Sequence, residues 1–498
     1  MRGTRIPLGP HRPDLPALVN AKGLVRALNA LPVAGGYHPM PSLATMGLGS
    51  LAARARGAIS GVTASGNSFH FAGDQTKLYR ITVSGLVDAS RTPGYNCTGE
   101  SRWAFSQFGD FILATNPAEP LQLFTVGRDT NFANVVDGEN SIPSARHLGV
   151  IGQHLVVGNY YDAYEGLVTD GVRWAAIGNP LSWPEPGTDL ALSLQSDSQR
   201  FGGDGGWVMG VVDSAEVGGV FQERSIQRLD YRGGDVIFEI NRVEPKRGLL
   251  VPGLAIPFGR MVFYCSEDGF YLWDYSSSTG IGDEVVNRTF LADIDSAYFD
   301  RVSWAMHPDK PIAFIAYPGQ GNVSGTPNRM LVYNFSINQF ATLDVEVDVV
   351  CQVIPPTGTL DDPPPEDIDV GSGSFDDRGV GLGATAFGAY SSAHTLSQWS
   401  GPALTAEFET GDQEHAPGQR AFVSEIRPLV TGGEASVQIA ALGKRADAVR
   451  FGRSLRMQDD GVCYARSDGR YHRYRVIVEG GFTDAVGLDV SFVDAGGR

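Results

Sequence analysis

Two adjacent carboxylate pairs, Glu267-Asp268 and Asp283-Glu284, are the residues whose chemistry comes nearest to catalysis. Paired carboxyl groups cleave glycosides when one acts as acid and the other as base or nucleophile, ~5–10 Å apart across the sugar. Neighbouring positions in sequence do not fix that separation. The first pair also falls in Glu267-Asp268-Gly269, which reads as a hairpin turn, so a structural duty already accounts for it. The histidines are His11, His38, His70, His147, His154, His307, His394, His415 and His472. None forms an HExxH or HxH arrangement, so no zinc site is legible.

Other reactive groups point the same way. Cys97, Cys265, Cys351 and Cys463 are far apart, with no CxxC redox or metal motif, and read as buried reduced thiols. The run Gly202-Gly203-Asp204-Gly205-Gly206 lacks the Lys-Ser/Thr of a phosphate loop, and its single Asp is too few for calcium. It reads as a flexible connection. A nucleophile elbow in a strand-turn-helix setting is absent. The reading is therefore of a protein that is not an enzyme and carries no cofactor or metal. The densest local charge is Arg466-Ser467-Asp468-Gly469-Arg470-Tyr471-His472-Arg473-Tyr474-Arg475. On a strand, alternation puts Tyr471, Arg473 and Arg475 on one face and His472, Tyr474 and Val476 on the other. Arg466, Arg470, Tyr471, Arg473 and Arg475 are candidates for a subunit interface, because a guanidinium fork suits interface carboxylates. An edge strand guarded by charge is the alternative.

The elements that would position such residues are strands. The chain has 498 residues, 63 of them glycine and 29 proline, and 19% are charged. That suits many short strands joined by turns. Only Leu24–Leu31 and Leu43–Ala53 carry a short helical pattern, the second weakened by Gly47 and Gly49. A rhythm of apolar strand, Gly/Asn/Asp turn and Leu/Phe/Tyr/Trp strand recurs seven times. Its clearest copy runs from Met261–Cys265 through Asp268-Gly269 to Phe270–Tyr275. The second strands begin near residues 78, 121, 172, 226, 270, 330 and 396, and blades of a propeller repeat every ~40–50 residues. Each small sheet is apolar on both faces and must pack against neighbours around an axis. The fold expected is all-β. A β-propeller of six or seven blades occupies residues 61–400, after an extended or helical segment at 1–60 that could supply a closing strand. A β-sandwich or several β domains is the alternative. Residues 401–498 read as a small β-sandwich-like domain, with strands at Ala403–Thr410, Phe422–Leu429, Ala435–Leu442, Tyr474–Glu479 and Val486–Phe492. The Pro- and acid-rich stretch from Ile354 to Asp377 reads as a solvated loop.

The net charge is −17, which disfavours tight nucleic-acid binding. From Gln419 onward there are 12 basic and 10 acidic residues, which leaves 27 basic and 46 acidic, net −19, before it. The basic start, Met1-Arg2-Gly3-Thr4-Arg5, leads into no apolar signal core, and no window of ~18 apolar residues occurs. A soluble protein without a membrane anchor is expected.

Three stretches carry a family resemblance. The first is Arg12-Pro13-Asp14-Leu15-Pro16 with Asn20, then Gly36-Tyr37-His38-Pro39. The second runs from Arg247-Gly248 through Asp268-Gly269-Phe270-Tyr271-Leu272-Trp273 and Ile281-Gly282-Asp283-Glu284-Val285 to Arg288-Thr289-Phe290. The third is Gly418-Gln419-Arg420, Arg427-Pro428-Leu429, Arg466 to Arg473 and Gly487-Leu488-Asp489-Val490. In this order they resemble the tail hub or nozzle proteins of short-tailed bacteriophages, also known as packaged-DNA stabilisation proteins. The resemblance implies a virion protein, assembled in the host cytoplasm into a ring of subunits, a homohexamer, beneath the portal and its adaptor ring. It implies docking of tail fibres or tailspikes, and transient contact with genomic DNA that the ring retains and then passes at ejection. Gate residues of the channel are not legible. An acidic wall would let DNA slide with few sticking points. A propeller module that binds protein or glycan, and a propeller glycoside hydrolase, are the other readings.

Overall fold

Each hairpin anticipated from the sequence is the middle pair of four successive antiparallel strands. The clearest, Met261–Ser266 with Gly269–Trp273, is flanked by Ala255–Phe258 and Ser278–Gly280. Phe263 pairs with Leu272 and Tyr264 with Tyr271 across the hairpin, with Asp268-Gly269 at its turn. The computed structural model describes residues 2–15, 19–82, 84–234, 236–354 and 385–495. Within them seven such units follow one another; six are separate four-stranded sheets, and the sixth in order is one end of a sheet of 13 strands. Their first strands are Gly57–Val62, Ala104–Phe108, Ser144–Ile151, Val208–Val212, Ala255–Phe258, Ser303–Met306 and Val347–Val353. The stretch from 355 to 377 of the anticipated acidic loop lies outside the described residues.

Apolar residues on both faces of every sheet explain how the sheets are arranged. Phe71 of the first sheet packs with Ile112 and Phe124 of the second, and Leu113 of the second with Leu155 and Val157 of the third. The series continues through Val156 with Val220, Phe221 with Tyr264, and Phe263 with Ile315. Phe314 of the sixth packs on Phe387 of the seventh, and Tyr390 of the seventh meets Tyr79 of the first. Sheet therefore stacks on sheet around a closed, propeller-like ring. Each fully buried Leu, Ile or Phe contributes ~1.5–3 kcal/mol by leaving water, and no sheet could bury both faces alone.

The seventh sheet takes its fourth strand from the other end of the chain, since Pro41–Ser50 pairs with Thr395–Ala403. The helical pattern at Leu43–Ala53 is thus corrected to a strand through Ser50. The pattern at Leu24–Leu31 is likewise two strands, Leu24–Leu28 and Ala30–Val33, separated by Asn29 at φ +58°. That left-handed residue ends any helix. Leu24–Leu28 lies between the sixth sheet, through Thr342, and strand Ala406–Thr410. The C-terminal strands, expected as a sandwich-like unit, form one curled half-barrel sheet continuous with these. Its spine is a pair of long strands, Ala421–Leu442 and Tyr471–Asp494, edged by Arg2–Pro7. Each long strand was anticipated as two. Register shifts near Gly432-Gly433, both at positive φ, bend the ribbon without ending it.

Candidate functional site

The first strands of all seven sheets, or the residues beside them, line one central cavity of about 530 Å³. At the end where these strands begin sit Arg102, just before the second sheet, Arg146 in the first strand of the third, and Asp300, just before the sixth. Arg102 donates from Nη1 to the carbonyls of Pro252 (2.9 Å) and Val302 (3.0 Å). Burial lowers its pKa, opposed by the charge of Asp300. Arg146 Nη2 lies 3.5 Å from Asp300 Oδ2, a distance too long for a good hydrogen bond. His147, half-open to the cavity, stays neutral, its pKa held down to about 3 by burial and then by Arg102 and Arg146. Asp213 lines the cavity where the first strands end, and its Oδ1 accepts from Val150 N at 2.5 Å. Burial raises the Asp213 pKa.

A second polar group lies where the seventh sheet meets the first. Ser60 Oγ, in the cavity wall, donates to Gln352 O at 2.5 Å and lies 2.7 Å from His70 Nδ1. His70 Nε2 lies 2.9 Å from Tyr390 Oη. With the Ser60 proton committed to a carbonyl, Nδ1 carries the His70 proton and Nε2 accepts from Tyr390. His70 is buried and neutral, its pKa lowered to about 3 by burial. Resting geometry therefore makes His70 a donor to Ser60 and leaves it no lone pair there to act as base. Nearby, Asp348 Oδ2 accepts from Ala55 N (3.1 Å) and lies 2.6 Å from His394 Nδ1. Glu100 receives Arg301 through both oxygens (2.6 and 3.0 Å) and Arg54 at 3.1 Å.

The first and second stretches carrying the family resemblance are fastened to each other. Asp14, buried, accepts from Arg288 N (2.6 Å), Thr289 N (2.9 Å) and Thr289 Oγ1 (2.6 Å). It caps the helix Asn287–Asp293, whose own N-cap position, Val286, has no capping side chain. Asn20 exchanges hydrogen bonds with the backbone of Glu414, and Tyr37 packs 4.9 Å from the Phe408 ring. The carboxylate pairs of the sequence converge on Asn287. Its Nδ2 donates to Asp283 Oδ1 (2.9 Å) and to the Asp268 carbonyl (3.3 Å), while its Oδ1 accepts from Phe270 N (3.0 Å). Asp268 Oδ2 accepts from Arg247 (3.1 Å) and Tyr271 (2.7 Å).

The arginine strand alternates as anticipated, with His472, Tyr474 and Val476 buried. Arg473 pairs with Asp412 (2.8 Å) and Glu409 (3.4 Å), and Arg475 pairs with Glu409 (2.9 Å) and lies over Phe451. These two candidates serve contacts within the chain. Arg470 reaches Glu414 at 3.6 Å and lies over Tyr471, and Arg466 is exposed. Cys97, Cys265, Cys351 and Cys463 are buried and free. His154 Nδ1 lies 3.0 Å from Ala175 O. Asp204 of the glycine-rich run pairs with Arg242 at 2.7 Å. Sequence reasoning missed Arg102, Arg146 and the Ser60–His70 pair.

No protein-family model matches the chain, and no curated protein matches it. Among solved structures it is similar to the extracellular domain of a hybrid two-component system from B. thetaiotaomicron. The identity is 10%, over 84% of this chain and 48% of that one, with a TM-score of 0.43. The chain thus spans about half the length of that protein. It is also similar to a computationally designed protein, at 12% identity over 72% of this chain and 99% of that one, with a TM-score of 0.37.

Proposed function

We propose that the chain is a structural, non-catalytic subunit of a short bacteriophage tail, a nozzle or hub built on a seven-bladed β-propeller. In this reading identical subunits, six to a ring, assemble under the portal adaptor, surround the DNA channel and carry fibres or tailspikes on the outside. The observation that carries it is the Asp14 clasp. Two of the stretches on which the resemblance rests, 274 residues apart, meet in a buried carboxylate that caps a helix. The first reaches the third by one intermediary, since Asn20 accepts from Glu414 N and the Glu414 carboxylate accepts from Gly418 N at 3.0 Å. Stretches bound into one framework are what a shared architecture requires, and no titratable chemistry is needed to explain them. Rotational symmetry would make each subunit contact head-to-tail. Exposed Arg466 and Arg470, with Tyr471, are the candidates left on the surface for it.

Light scattering and negative-stain microscopy, on the protein alone and with its adaptor ring, test the reading. A ring of identical subunits with an axial hole is the expected result. A monomer under both conditions would overturn it. The second reading, a propeller module that binds a protein or glycan, draws on the axial cavity, and saturable glycan binding by the monomer would favour it.

A further inference from the structure

Charge is unevenly placed in the axial cavity: its lining holds Arg102, Arg146, Asp213 and Asp300, with both arginines at one end. Before Gln419 the chain is strongly acidic, net −19. The end of the cavity where the inner strands begin is the reverse. There Arg102 and Arg146 come from neighbouring sheets, and the carboxylate within ion-pair reach of either is Asp300, 3.5 Å from Arg146. Arg102 donates to two carbonyls, which satisfy hydrogens and not charge. Glu100, the nearest other acid along the chain, is already shared by Arg54 and Arg301. His147 is neutral and adds a polar ring to the same wall. Asp213 sits at the opposite end, where it accepts from Val150 N. A guanidinium removed from bulk water without a full counter-charge is costly, and a bound anion relieves that cost.

We propose that this end of the axial cavity is a binding site for a small tetrahedral oxyanion of the phosphate class, held between Arg102 and Arg146. Two guanidinium groups from neighbouring sheets present separate donors, Arg102 keeping Nε and Nη2 beside the Nη1 already committed to carbonyls. A carboxylate fills one fork, whereas a tetrahedral anion offers at least three acceptor oxygens and spans both. Asp300 competes for Arg146 and so sets the affinity. The inference stands whether or not the chain forms a ring.

The test is isothermal titration of the full-length protein with inorganic phosphate, against chloride of equal ionic strength, with acetate as the carboxylate probe. Saturable phosphate binding is expected, with acetate at least tenfold weaker. Arg146→Gln removes only the long contact to Asp300, so the variant keeps its fold by circular dichroism and binds phosphate at least tenfold more weakly. Asp300→Asn removes the competitor and tightens binding at least threefold. Three results would overturn the proposal: no saturable binding by the folded wild-type protein, equal affinity for acetate, or an unchanged affinity in Arg146→Gln.

Discussion

Asp14 is the residue at which the N-terminal segment and the ring depend on each other. Its carboxylate accepts three hydrogen bonds at the start of helix Asn287–Asp293, in a buried setting. Asp14→Ala leaves two backbone N–H groups without a partner, each costing ~1–3 kcal/mol. We expect a loss of about 2–4 kcal/mol in urea unfolding and a smaller loss for Asp14→Asn. An Asp14→Ala protein as stable as the parent would show that the clasp contributes nothing. Gly269 supports the same helix from the other side. It sits at φ +134°, and a Cβ there would lie 1.9 Å from Asn287 Nδ2. Gly259, at φ +59°, has nothing within 4 Å of its would-be Cβ. Gly259→Ala should therefore cost only the ~1–2 kcal/mol of a left-handed alanine. Gly269→Ala should cost clearly more, because Asn287 must leave the hydrogen bonds it makes to Phe270 and Asp283. Thermal unfolding of the two variants side by side separates strain from clash, and equal losses would count against the packing argument.

Among the elements, the seven hairpins were legible because their strands are near in sequence: apolar runs such as Met261–Ser266 and Gly269–Trp273 pair across a short connection. Strands that pair with distant partners were not. Leu24–Leu28 alternates like a helix face, and its strand state comes from Ala406–Thr410, nearly four hundred residues on. Pro41–Ser50 falls largely in the stretch read as helical, and a closing strand was expected only somewhere in residues 1–60, since nothing in ten residues names Thr395–Ala403 as its partner. The cavity arginines were hidden for the same reason, because Arg102 and Arg146 become neighbours only when the ring closes. That closure has a polar lock in Ser60, His70 and Tyr390, which joins the first and seventh sheets. Tyr390→Phe removes the donor to buried His70 Nε2 and keeps the ring's packing. A loss of about 1–2 kcal/mol is expected. If unfolding is unchanged, the lock is not holding the seam.

At the scale of the whole molecule, buried histidines make stability depend on pH. His11, His70 and His472 are buried, and desolvation lowers their pKa values to about 4, 3 and 4. In the unfolded chain a histidine titrates near 6.5. Above that pH both states are neutral and these groups contribute nothing to the pH dependence. As the pH falls below 6.5, the unfolded chain takes up protons that the folded protein refuses, so stability drops. The slope approaches ~1.4 kcal/mol per pH unit for each histidine and persists until the folded pKa values are reached. Asp213 and Asp348, whose pKa values are raised by burial, act in the opposite sense, but their unfolded reference near 3.8 places much of that effect at lower pH. Urea unfolding should therefore show a steady loss from pH 6.5 to pH 4.5, with net proton uptake on unfolding. His472→Phe keeps a buried ring of similar size in the curled sheet and removes one of five histidines held near 3 to 4, since His147 and His415 act in the same sense as His11, His70 and His472. It should flatten the slope by at most about a fifth. Stability that stays level between pH 7 and pH 5 would mean that these histidines are protonated in the folded protein, with partners that the buried, neutral arrangement does not provide.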